Sequence, residues 1–212
     1  VMMAALMAKG VIAVAVSVGL LLVAVPLALG AVLIREQQVG VVVKRFARRS
    51  LDPGRLVARD GEAGFQADTL APGLHFGYWR WQYRIIKAPV TKVPPGEIAL
   101  VVAADGAPMP AERILGKVVE CDSYQDGRRF LAGGGEKGRQ LGILTAGTYR
   151  INCALFTVIT AENATAHGMT PDQLRVFRVQ SDQVGIVTTL DGRPIEAGEI
   201  AGPWVPGHDN YQ

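Results

Sequence analysis

Few residues in this chain have the type and spacing from which chemistry can be built. Gly133, Gly135 and Gly138 satisfy GxGxxG, a spacing that lets backbone amides approach a pyrophosphate when it follows a strand and opens a long helix. Here the glycines follow a predicted short helix and no long helix begins behind them. They read as a helix end and loop, with Glu136, Lys137 and Arg139 solvated. His75, His167 and His208 are widely separated, with no Cys or carboxylate at ligand spacing, and His75 reads as a packing or backbone-bonding residue. Neither a GxSxG elbow nor an HExxH helix occurs. Cys121 and Cys153 read as small buried hydrophobes. The expectation is a non-enzymatic chain with no catalytic residue, no cofactor and no metal.

One cluster suggests a surface role. Phe76, Tyr78, Trp79, Trp81 and Tyr83 fall within eight residues, with Arg80, Arg84 and Lys87 beside them, and amphipathic rings next to cations suit a lipid headgroup interface. The same spacing fits a β-hairpin with Trp79, Trp81 and Tyr83 on one face filling a core. Arg45, Arg48 and Arg49 carry the same choice between anionic lipid and solvent. The membrane-interface set is thus Arg35, Arg45, Arg48, Arg49, Tyr78, Trp79, Trp81 and Tyr83. The net charge of +3 and the lack of a long basic stripe exclude nucleic acid as the expected partner.

These residues must be positioned by what surrounds them. Val11 to Ile34 carries no charge over 24 positions, long enough as a helix (roughly 36 Å) to cross a hydrocarbon core of about 30 Å. Residues 1–36 are therefore expected to be a membrane anchor with a transmembrane helix at about 11–34. Only Lys9 is basic before the run, whereas Arg35, Lys44, Arg45, Arg48 and Arg49 follow it, which predicts a single-pass inner-membrane protein with a cytoplasmic soluble part. A cleaved export leader is the rival, because Ala28-Leu29-Gly30 follows Pro26.

The remainder repeats itself. Pro95-Gly96-Glu97-Ile98-Ala99-Leu100-Val101, Asp105-Gly106-Ala107-Pro108 and Ile114-Leu115-Gly116 recur, after a shift of about 86 residues, as Ser181-Asp182-Gln183-Val184-Gly185-Ile186-Val187, Asp191-Gly192-Arg193-Pro194 and Ile200-Ala201-Gly202. Asp122-Ser123-Tyr124-Gln125 matches Asp209-Asn210-Tyr211-Gln212, and a diverged copy from Gln38 matches Leu70 to His75 with Leu144 to Tyr149. The expected division is 37–94, 95–180, and an incomplete third module at 181–212 that points to a longer natural polypeptide. Ile114 and Ile200 should be buried at equivalent sites. Strands are predicted at Val39 to Phe46, Ile98 to Ala103, Gly185 to Leu190 and Thr148 to Ile159. A short helix capped by Asp122 should end at Gly133-Gly134-Gly135, and Thr170-Pro171 should open a helical turn that returns to extended chain at Arg175. The fold class is α+β, with strands dominant.

Val41-Val42-Val43-Lys44-Arg45-Phe46, followed by Leu70-Ala71-Pro72-Gly73-Leu74-His75-Phe76, resembles the opening of the SPFH domain shared by stomatins, prohibitins and flotillins, most closely the bacterial flotillin-like proteins with repeated SPFH regions. The resemblance covers about residues 37 to 160. It implies a membrane scaffold that assembles with copies of itself into a ring or cage and organises a membrane patch with client membrane proteins. The alternative is a membrane-tethered β-rich binding module for one protein partner. The chain lacks the family's long Ala/Glu-rich helix.

Overall fold

The computed structural model describes residues 15–25, 28–111, 113–188 and 195–202. Its organising feature is one set of strand pairings made twice. In the first unit, β2 (Gln38–Lys44) lies between β4 (Gly64–Leu70) and β6 (Tyr83–Pro89), both antiparallel, while β1 (Val32–Ile34) pairs with β5 (Gly73–His75) and a two-residue β3 (Val57–Ala58) runs parallel to β4. In the second, β8 (Ala99–Ala103) lies between β9 (Gly138–Leu144) and β11 (Phe156–Ile159), while β7 (Thr91–Val93) pairs with β10 (Gly147–Tyr149).

The registers coincide residue by residue. Gly40 opposite Leu70 becomes Ala99 opposite Leu144, and Lys44 opposite Gly64 becomes Ala103 opposite Gly138. Both ladders bulge at the same step, between Val41 and Val43 and between Leu100 and Val102. Side chains repeat too. Gln66 Nε2 donates to the Glu62 and Gly64 carbonyls at 2.8 and 3.0 Å, and Gln140 Nε2 to those of Glu136 and Gly138 at 2.7 and 2.8 Å. His75 Nε2 donates to Ala71 O at 2.7 Å where the Tyr149 hydroxyl donates to Thr145 O at 2.9 Å. The second unit therefore starts with β7, at Thr91. It also carries an insert: two 3-10 turns, Ala164–His167 and Pro171–Leu174, follow β11 before Arg175 bridges Glu97 as Pro89 faces Gln38.

The two units share a core. Val57 and Ala67 of the first close the cluster built by Ala99, Val101, Ala103, Tyr124, Phe130, Leu144, Leu155 and Phe156 of the second. The Asp105 carboxylate, 1% exposed, accepts from the backbone N–H groups of Leu56 and Val57 at 2.7 and 2.8 Å, and from Gly106 N–H at 2.8 Å. Asn152 Nδ2 donates to Gln66 O and Ala67 O, and Arg128 pairs with Asp68 at 2.6 Å. Helix α1 (Gly127–Ala132) packs against β4, and a Cβ at Gly127 would come within 2.8 Å of Ala67 O.

Several expectations are corrected. No helix of the described residues is long and apolar enough to cross a membrane; residues 11–14, 26 and 27 of the expected span lie outside the described residues. The N-terminal transmembrane helix at about 11–34 falls with that. So does the single-pass, inner-membrane, cytoplasm-facing placement, since no helix of the described residues gives the arginines a span to orient. The α+β class with an anchor helix becomes a strand-dominated fold whose α-helical residues, among those described, are 15–25, 28 and those of α1.

Local corrections follow the same logic. The cap of α1 is Asp126, which accepts from Arg129 N–H at 2.9 Å. Asp122, Ser123 and Tyr124 instead form a left-handed turn, with φ of 51°, 51° and 64°, a strain of roughly 1–2 kcal/mol each that is offset by burying Tyr124 against Phe130 and Phe156. α1 ends at Gly133 as expected, and Thr170 opens a turn that returns to extended chain at Arg175. The stretch from Thr148 to Ile159 is two strands around a turn. Residues 185–188 form no strand and are exposed, since no described segment supplies the pairings that β4 and β6 give to β2; 189–190 lie outside the described residues. Ile114 and Ile200 are exposed, at 61% and 100%, rather than buried. Cys121 is buried but Cys153 is not.

Two outcomes are expected. Asp105→Ala leaves buried backbone donors bare and should lower the unfolding free energy by about 3 kcal/mol in urea titration, whereas Asp52→Ala, on an exposed loop, should change it little. Burial pushes the Tyr124 phenol up to about 12 and the Cys121 thiol upward. A folded value above the unfolded one means that the neutral form is favoured, so stability from Tyr124 is full below about pH 10 and lost between pH 10 and 12. Tyr124→Phe should flatten that alkaline loss.

Candidate functional site

The aromatic cluster splits into buried and exposed halves. Tyr78 and Tyr83 are half-buried, edge-on to each other with centroids 5.4 Å apart, and they pack against Ile34, Val42 and Leu70. Burial raises the Tyr78 phenol above its ordinary value, with Tyr83 and Asp68 adding to the shift. Trp79 and Trp81 project outward, at 40% and 64% exposure, from a turn in which Gln82 and Tyr83 N–H groups donate to Trp79 O. No hairpin stacks Trp79, Trp81 and Tyr83 on one face.

That turn is joined to the chain just before β1. Gly77 N–H donates to Leu29 O at 2.8 Å, Tyr78 N–H to Gly30 O at 3.0 Å, and Trp79 Nε1 to Ala28 O at 2.8 Å. Gly30 has φ of 62°, and a Cβ there would lie 2.8 Å from the Tyr78 and Trp79 nitrogens, so only glycine permits this approach. The outcome is a contiguous apolar surface. Leu33 and Leu74 face each other across β1 and β5 with 58% and 57% exposure, and Leu29, Phe76, Trp79 and Trp81 lie exposed on the segments just joined. Residues 15–25, whose side chains are mostly Val and Leu, are exposed throughout.

The duplication supplies an internal control. At the positions of Leu33 and Leu74 the second unit has Lys92 opposite Thr148. At those of Trp79 and Trp81 it has Asn152, fully buried against the first unit, and Ala154. The same strand pair thus carries Lys92 and Thr148 in one unit and Leu33 and Leu74 in the other, while the corner beyond it is buried in one and exposed in the other. Packing among the described residues does not account for exposing Leu33, Leu74, Phe76 and Trp81; patches of this kind on a protein surface mark contact with something else.

Of the basic residues proposed for this surface, Arg45 adjoins it, since its N–H donates to Gln82 O at 2.8 Å. Arg35 sits exposed in the β1–β2 turn. Arg48 and Arg49 follow in an exposed loop, where no side-chain hydrogen bond or ion pair among the described residues ties them to the rings. Sequence reasoning missed Leu33 and Leu74, although setting Leu33 beside Lys92 and Leu74 beside Thr148 carries the signal. The three glycines 133, 135 and 138 serve structure: Gly133 caps α1, a Cβ at Gly135 would overlap the Phe130 ring, and Gly138 begins β9 with φ of 100°. Among the described residues no group of three His, Cys, Asp or Glu side chains is placed to share a metal ion. Compared with protein-family models, curated proteins and solved structures, the chain matches none.

Exposure and burial separate these rings in a measurable way. Trp81→Ser should shift the unfolding free energy by less than about 0.5 kcal/mol, while Tyr78→Ala should cost about 2–3 kcal/mol by opening a void against Ile34 and Leu70. Urea denaturation of both variants checks the assignment.

Proposed function

We propose that the chain is a non-enzymatic membrane scaffold of the SPFH kind, resting on the bilayer surface through the apolar edge of its first unit and assembling with further copies of itself. The observation that carries this reading is the Leu33–Leu74 pair, exposed where the second unit has Lys92 and Thr148. Two tryptophans at the rim suit headgroup depth, where an indole keeps its ring in the apolar layer and its N–H wet. The SPFH resemblance of the Val41–Phe46 strand and the Leu70–Phe76 turn points the same way.

Magnitudes favour many copies over one. A fully buried Leu or Phe contributes about 1.5–3 kcal/mol, and partial immersion of a few such side chains gives weak, reversible binding, as a single acyl chain does. Joining several subunits multiplies such contacts into stable attachment. Assembly is also supported by the second unit's outer strand. There Leu141, the counterpart of the buried Ala67, is 56% exposed, and Ile143 is exposed beside it. A face that is covered inside the chain is therefore open at its far end.

A second reading, a β-rich binding module for one protein partner, is favoured by residues 176–188, exposed chain that includes Val184 and Ile186 and could add as a strand to a partner's sheet. Native mass measurement in mild detergent separates the two: many subunits are expected, and one or two would favour the module. In vesicles brominated near the headgroups, tryptophan emission should be quenched, and Trp79→Phe with Trp81→Phe should remove most of that quenching. Unquenched emission from folded, vesicle-bound protein would place the contact elsewhere.

A further inference from the structure

Beside the exposed leucine pair lies a cleft of about 850 Å³, lined among others by Leu33, Arg35, Glu36, Gln38, Gly73 and Lys87. It sits where the β1–β2 turn meets the start of β5 and the end of β6, so its apolar wall, Leu33, is continuous with the surface described above. Two cations reach it. Neither Arg35 nor Lys87 forms an ion pair with any described carboxylate, although Glu36 shares the cleft. Gln38 lines the floor of the cleft.

The second unit again serves as the comparison. The turn that carries Arg35, Glu36 and Gln37 in the first unit reads Pro94, Pro95 and Gly96 in the second. The two cations occur together only in the unit that exposes Leu33 and Leu74.

We propose that this cleft is a binding site for the headgroup of an anionic phospholipid, with Arg35 and Lys87 on the phosphate and Leu33 against the first acyl carbons. Phosphate between two unpaired cations is charge-assisted bonding. The inference rests on the bilayer-surface reading and refines it from apolar contact to headgroup selection.

The test uses the full chain with phosphatidylcholine vesicles, with and without phosphatidylglycerol, and with dissolved short-chain phosphatidylglycerol and inorganic phosphate. Wild-type protein should bind both vesicles and prefer the anionic ones; binding to neither overturns the bilayer reading itself. Arg35→Gln with Lys87→Gln should abolish the preference for the anionic vesicles, and Arg35→Lys should restore part of it. A general surface charge is worth about five-fold per cation wherever it sits, so the control pair Arg80→Gln with Arg84→Gln decides specificity. An equal loss in that control overturns the cleft while sparing the membrane contact. Amide NMR shifts at residues 35–38 and 73 should saturate with short-chain phosphatidylglycerol and not with inorganic phosphate. Equal saturation by phosphate would make this a free-anion site, and no saturable shift would remove the site altogether.

Discussion

The structure depends on one buried charge. Asp105 lies at the end of β8, where the chain leaves the second unit's central strand, and its carboxylate binds two consecutive backbone N–H groups, of Leu56 and Val57, that belong to the first unit. An ionised group with so little access to water is tolerable only when donors surround it. Here the donors come from the neighbouring unit, so the condition for burying the charge is also the condition for docking the units. Val57 then completes the second unit's core, and the short β3 holds β4 in place beneath α1. The ion pair of Arg128 with Asp68 lies nearer solvent and adds less.

Because the two units share register, bulge and several side-chain hydrogen bonds, a difference at equivalent positions cannot be ascribed to the fold. What the backbone needs, both units have: a Gln that folds back on its own strand, a polar ring on the carbonyl four residues earlier, and a bulge at one step. What differs is where each unit looks. The second unit turns Asn152 and Leu155 inward against the first, and the first turns Trp79 and Trp81 outward. The same corner is a joint in one copy and a surface in the other.

Much of the strand pattern was legible in the residues. β-branched runs bounded by Asp, Gly and Pro marked β2 and β8, and the match of Leu70–His75 with Leu144–Tyr149 is the shared β4–β5 and β9–β10 corner. Other features were illegible for physical reasons. Hydropathy measures transfer to lipid and says nothing of where a helix breaks, so the run from Val11 to Ile34 read as a span although its end is β1. Asp122 carries a cap's chemistry, but the tertiary pull on Tyr124 forces three residues into the left-handed region and hands the cap to Asp126. The two exposed tryptophans were visible as residues, whereas the Leu33–Leu74 pair needed the strand register to bring its members together.

The two 3-10 turns between Ile159 and Arg175 have a consequence for how such a chain changes over time. They lengthen one arm of the second unit, yet Arg175 meets Glu97 as Pro89 meets Gln38, and Val176 bonds Gly96 as Val90 bonds Gln37. Length was added without moving the next strand. That corner is therefore a port at which evolution or an engineer can splice new sequence into the array, while its pitch and the docking of its neighbours stay as they were.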